Sequence, residues 1–432
     1  MGIGDEFKKF LGNIAVDNAD TISLRYGEIT SALNKEFRDT DSKTNNCLQV
    51  GSYGRYTAIR GISDLDMIYV MPFGKWETYR NGGQYDLLRD TKDAIKARYP
   101  TTTVKVDRLV VRVLYKDFHV EVQPAFELTD GSFKYPDTKG GGSWKITKPR
   151  DEIEELRTAN AAKNRNLRRL CKMTRSWKNR HGVYMGGLLI DTLAYNFLES
   201  TEFFDDKSYL YYDYMSRDFF EYLSNEADKA YYAAVGSGQH VKVKKKFQKK
   251  AKKAHELCID AIAASGQKNE NDKWRKVFGR SFPKAETLEK QAFAHVFRDT
   301  EKFIEDMFRI DVRWNVQVDC EVTQNGFRTG LLRNMLERHL PLLREKKLRF
   351  HIVACDVPEP YTVYWKVLNR GDEAQRRDCI RGDIVVDKGH GENLETSDFS
   401  GQHIVECYVV KDNVVVARDE IEVPISIGNM GS

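Results

Sequence analysis

Two aspartates one residue apart, Asp64 and Asp66, lie some ten residues beyond a glycine-serine pair in the stretch GSYGRYTAIRGISDLDMIYVMP, Gly51 to Pro72. In a strand, alternate side chains share a face, so Asp64 and Asp66 project together while Leu65 and Met67 point oppositely. Two carboxylates that close repel unless a cation lies between them. Oxygen ligands on a rigid strand suit Mg²⁺, which completes its octahedron with water and substrate phosphate. The Gly51-Ser52 turn, followed by a helix start at Tyr53, can offer backbone N–H groups and the Ser52 hydroxyl to a polyphosphate. Phosphate and metal would then meet at one place.

Metal-assisted nucleotidyl transfer calls for a third carboxylate, so that two ions about 4 Å apart can flank the reacting phosphorus. The segment RLVVRVLYKDFHVEVQPAF offers one. A two-residue turn at Lys116-Asp117 pairs Tyr115 with Phe118 and sets Arg112 opposite Glu121, with His119, Glu121 and Gln123 on a common face. Glu121 is the expected third ligand. Arg112 has two readings: a cross-strand partner holding Glu121, or a cation at substrate phosphate.

Cations for a triphosphate are expected on the helix NLRRLCKMTRSWKNRHG, where Arg168, Lys172 and Arg175 make one basic stripe. Leu167, Leu170, Thr174 and Trp177 form its packed side. Such a stripe could hold the β and γ phosphates as pyrophosphate leaves, or be a solvated face. A denser run, VKVKKKFQKKAKKAH, holds eight lysines from Lys242 to Lys253. It reads as a solvated helix face, or more sharply as a platform for nucleic acid or another polyanion.

These residues need elements to hold them. Residues 5 to about 40 read as one or two helices, NNCLQV begins a short strand, and DLDMIYV is a second strand stopped by Pro72. TKGGGSW reads as a glycine-rich loop, after which residues 151–308 are nearly all helical. From Ile310 to Val322 apolar residues recur at every second position, the mark of a strand. LRFHIVACDV, YTVYWKVL, IVECYVV and NVVVARDEIEV continue in kind, the last two joined by a turn at Lys411-Asp412-Asn413. The expected organisation is therefore α+β: a mixed core over 1–150, a helical lobe over 151–308 and a β-rich domain over 309–432.

Composition sets the outer bounds. A chain of 432 residues, 41% hydrophobic and 11% aromatic, is long enough for two or three folded domains. The net charge of +5 is too small for bulk nucleic-acid binding, so any electrostatic function must be local. Seven scattered cysteines without a Cys-x-x-Cys pair read as core residues of a reducing compartment. No stretch approaches the roughly 18 apolar residues that cross a bilayer. Together these place the chain in the cytoplasm, away from membranes.

The motifs GSYGRYTAIRGISDLDM, HVEVQPAF and LRRLCKMTRSWKNRHGVYMGGLLIDTLAYNFL resemble those of the bacterial SMODS nucleotidyltransferases, the CD-NTases. These are relatives of animal cyclic GMP-AMP synthase and oligoadenylate synthase. The resemblance implies a polymerase-β-like nucleotidyltransferase core and a helical lobe with the active site between them. It matches Asp64, Asp66 and Glu121 to the metal triad, Gly51 and Ser52 to the phosphate turn, and Lys172 or Arg175 to a helical cation near the triphosphate. Two departures stand out: the third carboxylate is often Asp, and many relatives carry a serine near Gly186-Gly187.

VYWKVLNRGDEA and GQHIVECYVV resemble the AGS-C module fused behind such enzymes, a family proposed to sense a nucleotide or other ligand and compatible with a β-sandwich. Trp365, Lys366 and Arg370 could line a pocket there, or Trp365 could simply be a packed indole at a strand end.

The resemblance implies an enzyme that joins NTPs with two Mg²⁺ ions, Mn²⁺ being an alternative, into a cyclic di- or oligonucleotide. The product would act on a downstream nucleotide-responsive effector in antiphage signalling of the CBASS type. Linear oligonucleotide synthesis, nucleotide transfer to a protein or RNA acceptor, and a non-catalytic sensor are the alternatives.

Overall fold

The computed structural model describes residues 2–285, 302–323, 329–369, 382–397 and 400–426. Contacts divide the chain into two compact units, Met1–Trp177 with Met185–Ala285, and Lys178–Tyr184 with Glu286–Ser432.

The first unit opens with helices α1 (Ile3–Asn13) and α2 (Ala19–Arg38), as their apolar spacing predicts. In α2, Ile22, Tyr26, Ile29 and Leu33 recur every three or four residues and are all buried, and the helix ends where Asp39 turns left-handed at φ 52°. A mixed sheet follows. It is built from β1 (Cys47–Gln49), β2 (Asp64–Val70), β3 (Thr103–Asp107), β4 (Val110–Leu114) and β5 (His119–Glu127) in the order β1-β2-β5-β4-β3. The one-turn helix α3 (Gly51–Gly54) sits between β1 and β2, and α4 (Trp76–Tyr79) and α5 (Gln84–Arg98) between β2 and β3. Leu65, Met67, Val111, Val113, Val120 and Val122 pack against Ile22, Ile29, Leu33, Leu87, Leu88 and Ile95. Strand alternation leaves Asp64, Asp66 and Glu121 off that core.

TKGGGSW is more ordered than a loop. It joins the hairpin β6 (Phe133–Asp137) and β7 (Ser143–Thr147), which extends the sheet from β5. Gly140, Gly141 and Gly142 all take positive φ between the strands, and the glycines obscured the pairing in the sequence.

The helical region comprises α6 (Pro149–Ala162), α7 (Asn166–His181), α8 (Gly187–Glu199), α9 (Tyr212–Asn225), α10 (Gln248–Ala263) and α11 (Glu270–Phe278). A short hairpin, β8 (Tyr231–Ala233) with β9 (His240–Lys242), lies between α9 and α10. The lysine run is therefore divided. Lys242 closes β9, Lys244 to Lys246 precede the helix, and only Lys249 to Lys253 ride on α10.

The second unit is a sandwich of two sheets. One holds β10 (Arg309–Ile310), β13 (Leu342–Leu343), β15 (Thr362–Leu368), β16 (Ile384–Val386), β18 (Gly401–Lys411) and β19 (Val414–Ser426). The other holds β11 (Val316–Thr323), β12 (Gly330–Leu331), β14 (Lys347–Cys355) and β17 (Glu392–Thr396). Short helices α12 (Ile304–Met307) and α13 (Leu332–Glu337) complete the unit.

The alternating run from Ile310 to Val322 is not one strand. β10 pairs with β19 in one sheet and β11 with β14 in the other, so residues 311–315 carry the chain across between sheets. Asn179 pins the crossing: its Nδ2 donates to the Ile310 carbonyl at 3.0 Å and its Oδ1 accepts from the Val312 N–H at 3.2 Å. The turn joining β18 to β19 is as expected, with Asp412 and Asn413 at φ 51° and 61°.

Candidate active site

β2 and β5 run parallel, with Asp64 beside His119, Asp66 beside Glu121 and Ile68 beside Gln123. β4 returns antiparallel to β5, with Arg112 opposite Glu121, and the Tyr115 N–H donates to the Phe118 carbonyl at 2.9 Å. The hairpin register is the one the two-residue turn predicts. Asp64, Asp66, Arg112, His119 and Glu121 thus share one face of three adjacent strands.

The Gly51 turn presses on this face. Gly51 takes φ +64°, and a β-carbon built there would lie 1.8 Å from Asp66 Oδ2, so only glycine fits. The Asp66 carbonyl accepts two hydrogen bonds, from the Val50 N–H at 3.1 Å and the Tyr26 hydroxyl at 2.8 Å. Burial, reinforced by the charge of Asp66, pushes the Tyr26 phenol well above its ordinary pKa, so it stays a proton donor. Beyond the turn, the Ser52 carbonyl accepts from the N–H groups of Thr57 at 2.9 Å and Ala58 at 3.1 Å, closing the loop back on itself.

Glu121 is half-exposed and already engaged. Its Oε1 lies 3.1 Å from His119 Nε2 and 3.5 Å from Arg112 Nε, while Arg112 Nη2 lies 3.1 Å from the same His119 nitrogen. Nε2 therefore faces a donor and an acceptor at once, and no single tautomer serves both. Among the described residues, no three His, Cys, Asp or Glu side chains are preassembled around one metal position. The chemistry nevertheless fits a hard divalent cation: three oxygen donors stand on neighbouring strands, with a glycine turn against one of them.

On α7 the structure separates what the sequence grouped. Arg175 is 6% exposed and directed inward, with Nη1 donating to Asp191 Oδ1 at 2.6 Å and Nη2 to Asp191 Oδ2 and the Gly187 carbonyl, each at 3.0 Å. Asp191, wholly buried on α8, also accepts from Arg55 Nε at 2.9 Å and the Thr57 hydroxyl at 3.0 Å. Burial alone would raise the Asp191 carboxyl, but Arg175 and Arg55 outweigh it and hold its pKa at about 2. The expected surface cation Arg175 is thus a strut joining α7 and α8 to the loop after α3. Gly187 meets it through its backbone carbonyl.

Lys172 behaves differently. It is half-buried, and among the described residues no carboxylate pairs with it; burial, then the charges of Arg168 and Arg175, push its ammonium below the usual pKa. The Arg168 guanidinium lies over the Tyr56 ring, 4.8 Å from its centroid. Arg168 and Lys172 are thus two neighbouring cations held part-buried, with no carboxylate paired to either among the described residues.

The strongest signal missed in the sequence is Asp191, a lone carboxylate in the apolar stretch GGLLIDTLAYNFL. In the second unit, Trp365 is buried with its indole N–H on Asp387 Oδ1 at 3.1 Å, and Lys366 is buried 3.6 Å from Glu406 Oε2. Neighbours on one strand, they point to opposite faces and do not line one pocket. Arg370 lies outside the described residues.

Two family models match the chain: the Second Messenger Oligonucleotide or Dinucleotide Synthetase domain (SMODS) over residues 1–160, and the Adenylyl/Guanylyl and SMODS C-terminal sensor domain (AGS-C) over residues 298–426. Among solved structures, the chain is similar to Escherichia coli MS115-1 CdnC in its complex with HORMA-deltaN, at 15% identity and a TM-score of 0.50. That match covers 65% of this chain and 98% of the other. CdnC with ATP matches at 16% identity and a TM-score of 0.50, with the same coverage of 65% and 98%. The GTP-bound form of Vibrio cholerae DncV matches at 15% identity and a TM-score of 0.46, over 55% of this chain and 68% of the other. No curated protein matches. At these identities the likeness to CdnC is one of fold: a polymerase-β-like nucleotidyltransferase core with a helical lobe, followed here by a sheet-rich region.

Proposed function

The chain belongs to the CD-NTases, with a SMODS domain followed by an AGS-C domain, and from that premise we propose that it is a template-independent nucleotidyltransferase. It joins NTPs, releases pyrophosphate and closes the product into a cyclic di- or oligonucleotide. We assign the catalytic core to residues 1–150, the helical lobe to 151–308 and the sensor-like domain to 309–432. The observation that carries the reading is the register of Asp66 and Glu121 on adjacent strands, with Gly51 set against Asp66.

Asp64, Asp66 and Glu121 would hold two Mg²⁺ or Mn²⁺ ions. When bound, such ions make a ribose hydroxyl a better nucleophile and neutralise charge at the α-phosphate. The chain's own residues do the rest. As a metal ligand Glu121 would exchange its contacts with His119 and Arg112 for the ion, and Arg112 would then be placed to turn toward substrate phosphate. The Gly51 turn and the Ser52 hydroxyl receive the triphosphate, and Lys172 holds its outer phosphates as they leave. Tyr26 and Val50 keep Asp66 from drifting. Arg175 serves as a positioning residue, through Asp191 and the Gly187 carbonyl.

Among the described residues, no helix is long and apolar enough to cross a membrane. We place the enzyme in the cytoplasm, with its product acting on a nucleotide-responsive effector in CBASS-type defence. Mass spectrometry of products from mixed NTPs with Mg²⁺ or Mn²⁺ tests the activity, and resistance of the product to phosphatase separates a closed ring from a linear oligomer. A product covalently attached to protein or RNA would move the assignment to nucleotide transfer.

A further inference from the structure

Tyr56 is the second residue after α3, in a loop held rigid on either side. Before it, Arg55 is buried, bonding Asp191 Oδ2 at 2.9 Å and Glu152 Oε2 at 3.2 Å. After it, Thr57 is buried with its hydroxyl on Asp191. Tyr56 itself takes φ +62°, a left-handed conformation that bulky residues avoid, and its side chain is 65% exposed. Nothing in the core demands this ring. Strain of this kind, over-determined by its neighbours, is a feature of functional sites.

The ring is not loose. The Arg168 guanidinium covers one face, 4.8 Å from the centroid, while Arg168 Nε is buried with no hydrogen-bond partner among the described residues. With Tyr56 65% exposed, much of the rest of the ring faces solvent. One helical turn along α7 from Arg168, about 6 Å, stands Lys172, which among the described residues has no carboxylate partner. A flat aromatic face thus sits on the loop that continues the Gly51-Ser52 turn, backed by a guanidinium beside a second cation, Lys172.

We propose that the solvent-facing part of the Tyr56 ring is a stacking platform for the nucleobase of a bound NTP, with Arg168 holding the ring in register. This inference deepens the nucleotidyltransferase reading and rests on it. Stacking on an aromatic ring tolerates every base because each has a π face, and a larger purine gains more contact than a pyrimidine. Because Arg168 already fixes the ring, little side-chain freedom is lost on binding. Tyr56 would thereby select for a base, whereas Ser52 and Lys172 read only phosphate.

The test compares two ligands, with Mg²⁺ present, by calorimetry: the non-hydrolysable α,β-methylene ATP and inorganic tripolyphosphate. For Tyr56→Ala we expect α,β-methylene ATP to bind roughly tenfold more weakly, tripolyphosphate to bind as in the wild type, and thermal unfolding to be unchanged. Tyr56→Phe should restore nucleotide binding. If Tyr56→Ala binds the nucleotide as tightly as the wild type, or loses both ligands equally, this inference alone is overturned. A wild-type protein that binds neither ligand overturns it together with the nucleotidyltransferase reading.

Discussion

Gly51 and Asp66 are in direct apposition: a β-carbon on the glycine would stand 1.8 Å from Asp66 Oδ2 and 2.7 Å from its Cγ. Gly51→Ala therefore faces a clash with the carboxylate and a residue forced to φ +64°. Relief requires turn and carboxylate to move apart. Displacements near 1 Å at reacting groups cost about 100-fold in rate, so kcat/KM for NTP turnover should fall by about that factor. The loss of stability should be modest, about 1 kcal/mol, read from denaturant unfolding.

Asp191 ties the loop after α3 to α7 and α8. Asp191→Ala leaves the guanidinium groups of Arg55 and Arg175 buried without their shared counter-charge, and breaking a buried pair costs about 3–5 kcal/mol. The pH dependence follows. Its folded pKa, about 2, lies below the ordinary 3.8, so its stabilisation is present above pH 4 and is lost as pH falls from about 4 to about 2. Unfolding free energies of wild type and Asp191→Asn across that range should converge toward the acid end.

Lys172 and Arg175 should separate cleanly. Without an anion, Lys172 is held part-buried beside Arg168, so Lys172→Met should leave the free protein as stable or slightly more so. Losing a charged contact worth about 1.5–3 kcal/mol should raise KM for NTP at least about tenfold. Arg175→Met should instead lower the unfolding midpoint markedly. Steady-state kinetics beside thermal melts give both readouts.

What could be read in the sequence was local. The pairing of Arg112 with Glu121 follows from turn length alone, and the common face of Asp64 and Asp66 from strand alternation. Helix spacing placed Arg168, Lys172 and Arg175 in one stripe, but it carries no information on which part the next helix covers. Only the approach of α8, with Gly187 and Asp191, decides that Arg175 faces inward. The same limit hid the crossing between sheets at residues 311–315, because alternation persists through it and the bonds to Asn179 join residues more than 130 positions apart. The β6–β7 hairpin was masked by glycines whose positive φ makes the turn.

In the second unit, Glu406 is buried among cations. Arg418 Nη2 lies 2.6 Å away, Arg180 Nη1 3.5 Å and Lys366 Nζ 3.6 Å, and the Tyr408 hydroxyl donates at 2.7 Å. Burial would raise its carboxyl, but those cations hold it below the ordinary range. Glu406→Gln keeps the shape and removes the charge that faces Arg418, Arg180 and Lys366. The expected loss is about 3–5 kcal/mol, seen as an earlier denaturant transition in the signal of the buried Trp365.

The most direct measurement follows radiolabelled α-phosphate from NTPs into product with Mg²⁺ present, for the wild type and for Asp64→Ala, Asp66→Ala and Glu121→Ala. The wild type should yield phosphatase-resistant nucleotide, and each variant should yield none while still folding. Product formed undiminished by Glu121→Ala, or no product from a folded wild type with any NTP, would contradict the assignment of these three carboxylates as one catalytic centre.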